Sequence, residues 1–93
     1  MSSVAPADRV AIEKAANALK NEYTIWDHIE VTAARYTREA FNYRAIGIIT
    51  LTDGTKNYTV FSAHYDFGFR VSDVFIFADN AEGHERAVNQ FVS

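Results

Sequence analysis

Cysteine is absent from this 93-residue chain, which removes a disulfide framework, a thiolate nucleophile and cysteine-ligated zinc together. Long apolar runs are absent too: none approaches the roughly 20 residues that a helical membrane span needs. The opening MSSVAPADR lacks the basic patch and apolar core of a secretory signal, so a soluble cytoplasmic protein without membrane attachment is expected. Basic charge is scarce. The formal net charge is −3, and residues 53–93 set six acids against Lys56, Arg70 and Arg86. Duplex-binding proteins neutralise phosphates with clustered Lys and Arg, and no such stripe is present, so nucleic acid is not the expected partner. The carboxylates are also too sparse to mimic nucleic acid.

What the chain does carry is apolar: 48% of residues are hydrophobic and 14% aromatic, well above a disordered composition. No linker, repeat or low-complexity segment divides it, so residues 1–93 read as a single α+β domain. Its centre is AIGIITLTDGTKNYTVFSA, Ala45 to Ala63, where two β-prone runs flank Asp53-Gly54, a dipeptide that suits a tight hairpin turn. Closing the hairpin through two or four residues places Ile49, Leu51, Tyr58 and Val60 on one face. Ile46, Ile48, Thr50, Thr59 and Phe61 then take the other.

Spacing predicts a helix over residues 6–22, with Pro6 in its first turn and Asp8 at the positive end of its dipole. Ile12, Ala16, Leu19 and Tyr23 draw its apolar stripe, which Trp26 would extend, and Arg9, Glu13, Lys14 and Lys20 fall on its wet side. Alternation predicts a strand from Asp27 to Tyr36, and Thr37 to Phe41 reads as a helical turn capped by Thr37, within a connection from Thr37 to Asn42 into the hairpin. Gly68 suggests a turn or bulge, and Val71 to Ala78 a last strand. Asp79 and Glu82 resemble a capping box for a closing helix striped by His84, Ala87, Val88, Phe91 and Val92. The expected architecture is α–β–β–β–β–α, a four-stranded antiparallel meander with the N- and C-terminal helices packed on one face.

Chemistry-bearing patterns are few. Asp66-Phe67-Gly68 copies the kinase DFG triplet without the Gly-rich loop, paired lysine or catalytic loop that give it meaning. Phe67-Gly68-Phe69 shares aromatics with the RNA-recognition-motif signature but lacks its leading basic-Gly pair, and Arg70 stands where an apolar residue belongs. The serines sit in no elbow motif, so no catalytic residue is assigned and an enzyme is not expected. His64 and Asp66 share a strand face, and His84 or Asp79 would be a third ligand, but no short motif has metal-ligand spacing. Neither metal nor cofactor is assigned.

Surface recognition remains. With both helices on one face, the other would stay apolar and aromatic, and Tyr, Phe and Arg are enriched at interface hot spots. The expected interaction residues are Tyr36, Tyr43, Arg44, Phe61, Tyr65, Phe67, Phe69 and Arg70. The expectation is a non-enzymatic interaction module with a protein partner, homodimeric through a sheet face or an edge strand. Phage-encoded inhibitors of host enzymes or defence complexes, anti-CRISPR proteins among them, are the genre its size and composition suggest. The alternative is a small-ligand or nucleotide-binding domain using His64, Tyr65, Asp66 and Arg70.

Overall fold

The computed structural model describes residues 6–18, 26–37, 42–65 and 68–93. Helix α1 (Pro6–Asn17) precedes strands β1 (Trp26–Thr37), β2 (Asn42–Leu51), β3 (Lys56–Tyr65) and β4 (Phe69–Phe77), and α2 (Ala81–Val92) closes the chain. The strands form one antiparallel sheet in the order β1-β2-β3-β4, so the expected element order and meander are present. Leu19, Tyr23 and Arg38 to Phe41 lie outside the described residues, as do Asp66 and Phe67. Trp26 does not extend the helix stripe. It opens β1 and is buried in the core.

The helices do not share a face. Ile12 and Ala16 of α1 pack with Ile29, Val31, Ala45, Ile49, Phe61 and Ala63, whereas Ala87 and Phe91 of α2 pack with Ala33, Ile46, Tyr58 and Val60. Successive strand residues point to opposite sides, so these two sets lie on opposite faces of the sheet. One helix covers each face.

The hairpin turn explains why both faces need covering. Gly54 N donates to the Leu51 carbonyl at 2.9 Å and Leu51 N to the Thr55 carbonyl at 2.8 Å, which leaves a three-residue loop, Thr52-Asp53-Gly54. Gly54 supplies the left-handed position at φ +88°, as in a type I turn followed by a bulge. Ile49 therefore pairs with Asn57 and Thr50 with Lys56. Relative to a loop of two or four, every β3 side chain changes face. Phe61 joins Ile49 beneath α1, and Tyr58 and Val60 join Ile46 beneath α2, which corrects the expected partition.

Both edge strands carry irregularities. Register shifts fall between Trp26 and His28 and between Val31 and Ala33 on β1, and opposite Phe61 on β4, where Asp73 sits at φ +52°. Bulges bend strands and sharpen twist. The edge strands β1 and β4 come closer to α1 than the middle pair does, so the sheet curls round this helix. Arg9, Glu13 and Asn17, four residues apart along one side of α1, bond the outer edge of β1. Asn17 Oδ1 accepts from Ile29 N at 2.7 Å and its Nδ2 donates to Ile29 O at 3.0 Å. Glu13 Oε2 accepts from Val31 N at 2.8 Å, and Arg9 donates to Val31 O at 3.4 Å. Arg9 and Glu13 are thus more than a solvated face: this stripe occupies an edge that would otherwise template another strand.

On the opposite face, the N-cap of α2 is Asn80, whose Oδ1 accepts from Gly83 N at 2.7 Å. The cap lies one residue beyond the Asp79 of the expected capping box. Gly83 and Ala87 are the buried residues of α2, while Val88 and Val92 are exposed. A Cβ at Gly83 would run into the Ala78 carbonyl, so glycine here permits the helix to approach the chain that leads into it.

Candidate functional site

Four aromatic rings gather on the α1 face, further along β1 than the residues to which α1 is bonded. Tyr36 and Tyr43 are cross-strand partners with ring centroids 5.2 Å apart. Tyr43 meets Phe69 at 5.3 Å, and Phe69 meets Tyr65 at 5.1 Å. All three contacts are edge-to-face, the arrangement favoured by ring quadrupoles and worth about 0.5–1.5 kcal/mol per pair beyond burial. Ala63 pairs with Tyr43 and Val71 across β3, and its small side chain leaves the space through which Phe69 reaches Tyr43.

The group is graded from anchored to free. Tyr43 and Phe69 are half-buried and pack on the core cluster beneath α1. Tyr36 is 38% exposed and Tyr65 70% exposed. A rigid centre flanked by accessible phenols gives contact area at low cost in side-chain entropy.

The other expected interaction residues fall elsewhere. Phe61 is 1% exposed in the core under α1, so it is a packing residue and not part of a contact surface. Its place along β3, directly beneath α1, sets that outcome. Arg44 and Arg70 lie on the α2 face, away from the rings, and Arg44 Nη1 donates to the Gln90 carbonyl at 2.8 Å. Phe67 is outside the described residues.

The alternative ligand set is likewise divided. His64 and Arg70 are cross-strand partners on the α2 face, and His64 Nε2 lies 3.1 Å from Ser72 Oγ. Tyr65 is on the opposite face, and Asp66 is outside the described residues. Among the described residues, no three His, Asp or Glu side chains are grouped to hold a metal. His28 pairs with Asp27 at 3.0 Å in solvent, and His84 packs its ring on Tyr58 at 4.9 Å. A shallow cleft of about 260 Å³ lies between Ile76 on β4 and Arg86 on α2, and Arg86 is in an exposed ion pair with Glu82.

Arg35, expected from sequence among the bases beside the aromatic residues, instead holds the end of α2. Its Nε donates to Phe91 O at 2.8 Å and its Nη2 to Ser93 O at 3.0 Å, while the guanidinium lies 5.7 Å from the centroid of Phe91. With Arg44 it satisfies carbonyls that a helix C-terminus leaves without partners. No local pattern announces this, since 56 residues separate Arg35 from Phe91. Compared with protein-family models, with curated proteins and with solved structures, the chain has no match.

Proposed function

We propose that this chain is a protein-interaction module that docks a partner protein on the Tyr36–Tyr43–Phe69–Tyr65 end of its sheet and acts by covering the partner's surface. The observation that carries this reading is the graded aromatic group: two rings wedged into the core hold two exposed phenols in fixed positions. Exposed aromatics held rigidly are the residues on which interface energy concentrates. The broad apolar sheet face first expected to do this work is occupied by a helix on each side.

Edge-to-edge pairing is opposed at both edges. The α1 stripe caps β1 at Ile29 and Val31, and the Asp73 irregularity bends β4 beside the exposed charges of Asp73 and Arg70. A homodimer, if formed, therefore uses the aromatic end, and inhibition by occupancy asks only for a rigid, complementary patch.

The test compares wild type with Tyr65→Ala, first by sedimentation for self-association, then by capture from a lysate of the source cells. Wild type is expected to dimerise or to retain a stoichiometric partner. Tyr65→Ala should weaken that contact by roughly tenfold or more, as hot-spot truncations do, while the loss of one ring contact lowers the melting temperature by only about 2–10 °C and leaves the chain folded. Equal association by both proteins would refute the assignment.

A further inference from the structure

The α2 face ends in a polar patch that the aromatic reading does not use. Beyond the apolar residues under α2 come two cross-strand pairs, Arg35–Arg44 and then Thr37–Asn42, and the same rows continue as Ser62–Ser72 and His64–Arg70. Helix α2 reaches the first row, where Arg35 and Arg44 hold the carbonyls of its last turn. The second row lies past the helix end.

Three polar atoms here are shut away from water and have no hydrogen-bond partner: Thr37 Oγ1, Asn42 Oδ1 and Arg44 Nε. Asn42 is only 7% exposed. Buried polar groups are almost always paired, and three orphans within two adjacent strand pairs require a common explanation. Their chemistry is complementary. Arg44 Nε–H is a cationic donor, the Thr37 hydroxyl donates or accepts, and Asn42 Oδ1 accepts. Arg70 is exposed two strands away, about 10 Å across the sheet, close enough for its long side chain to reach over His64 and Ser62. Arg35 is engaged at Phe91 and Ser93, which leaves Arg44, through its unpaired Nε–H, and Arg70 as the cationic groups with donors to spare.

We propose that this patch binds a small phosphate- or carboxylate-bearing molecule. Binding turns the Thr37, Asn42 and Arg44 side chains outward: the anion lies between Arg44 and Arg70 over His64, the Thr37 hydroxyl donates to it, and a neighbouring N–H or O–H of the ligand satisfies Asn42. Charge-assisted hydrogen bonds to guanidinium are the strong term in such recognition. The site differs from the ligand set read from sequence: it excludes Tyr65, which faces the other way, and adds Thr37, Asn42 and Arg44.

The test is a nuclear magnetic resonance titration of the full chain with inorganic phosphate, adenosine monophosphate and citrate at constant ionic strength. The Arg44 Nε–H and Asn42 side-chain signals are expected to shift saturably with at least one probe. Arg70→Gln and Thr37→Val should keep the wild-type melting temperature and weaken binding by about tenfold and severalfold respectively. Tighter binding of the nucleotide than of inorganic phosphate identifies a phosphomonoester ligand, equal binding the bare anion, and citrate alone a carboxylate. All three outcomes support the site. Signals unmoved by every probe, or shifts that survive both substitutions at unchanged affinity, overturn it. Tyr65→Ala lies on the other face and should leave the titration unaltered, so this site and the aromatic contact stand or fall separately.

Discussion

Replacing Asn17 by alanine probes how α1 holds the edge of the sheet. A primary amide presents its C=O and one of its two N–H donors along one edge, as a strand residue presents its own C=O and N–H. The Asn17 side chain therefore pairs with Ile29 as a neighbouring strand would, while Nδ2 also donates to the Glu13 carbonyl at 3.0 Å. Asn17→Ala deletes all three bonds. Each neutral hydrogen bond contributes about 0.5–1.5 kcal/mol net, so the gross loss is about 1.5–4.5 kcal/mol. Alanine returns up to about 0.7 kcal/mol of helix propensity. The net expectation is a loss of about 2 kcal/mol, which for a domain of this size lowers the melting temperature by roughly 8–16 °C. Urea unfolding measures the energy and amide hydrogen exchange locates it. Ile29 N–H should lose protection, whereas Val31 N–H, held by Glu13, should keep its own relative to global stability. Asn17→Asp retains the acceptor but sets a carboxylate against the Ile29 carbonyl, and should cost at least as much. A loss below about 0.3 kcal/mol with Ile29 protection intact would refute the edge-pairing role.

Gly83→Ala separates local propensity from tertiary contact. Propensity alone favours alanine by about 1 kcal/mol, but the new methyl meets the Ala78 backbone, so denaturant unfolding should show destabilisation of about 1–3 kcal/mol. Phe61→Ala should cost about 3–5 kcal/mol by the same assay, because the ring is buried in the α1 core; a surface role for Phe61 would give little change. At the hairpin loop, the Thr55 hydroxyl and then its backbone N–H donate to Asp53 Oδ1, at 2.6 and 2.9 Å, and hold the carboxyl below its ordinary value of 3.8. With the folded value depressed, the ionised loop stabilises the fold above about pH 3.8, and that contribution fades as pH falls through the folded value. Thr55→Val should move the Asp53 carboxyl midpoint, read by carbon nuclear magnetic resonance, upward towards 3.8.

The aromatic group was partly legible before the fold was known. Tyr36, Tyr43, Tyr65 and Phe69 were recognisable as surface-seeking side chains, and the structure brings these four together. Phe61 shares the Tyr65 face of the sheet whatever the hairpin register, and what removes it from the group is its place along β3, beneath α1, which no local pattern marks. The Asn17–Ile29 and Arg35–Phe91 contacts had no local signal, because each joins segments whose proximity depends on the whole sheet curling.

Element order and type were determined along the chain itself. Apolar periodicity marks the helices, β-branched and aromatic alternation marks the strands, and Asp53-Gly54 marks the central turn. These are short-range preferences that each segment expresses on its own. Which side each helix takes was decided only in three dimensions. With Thr52-Asp53-Gly54 as the loop, Phe61 sits beside Ile49 and Val60 beside Ile46, so both sides of the sheet are apolar and each recruits a helix. Burial rewards the assembled surface rather than the segment, and the rings left past the end of α1 follow from that division.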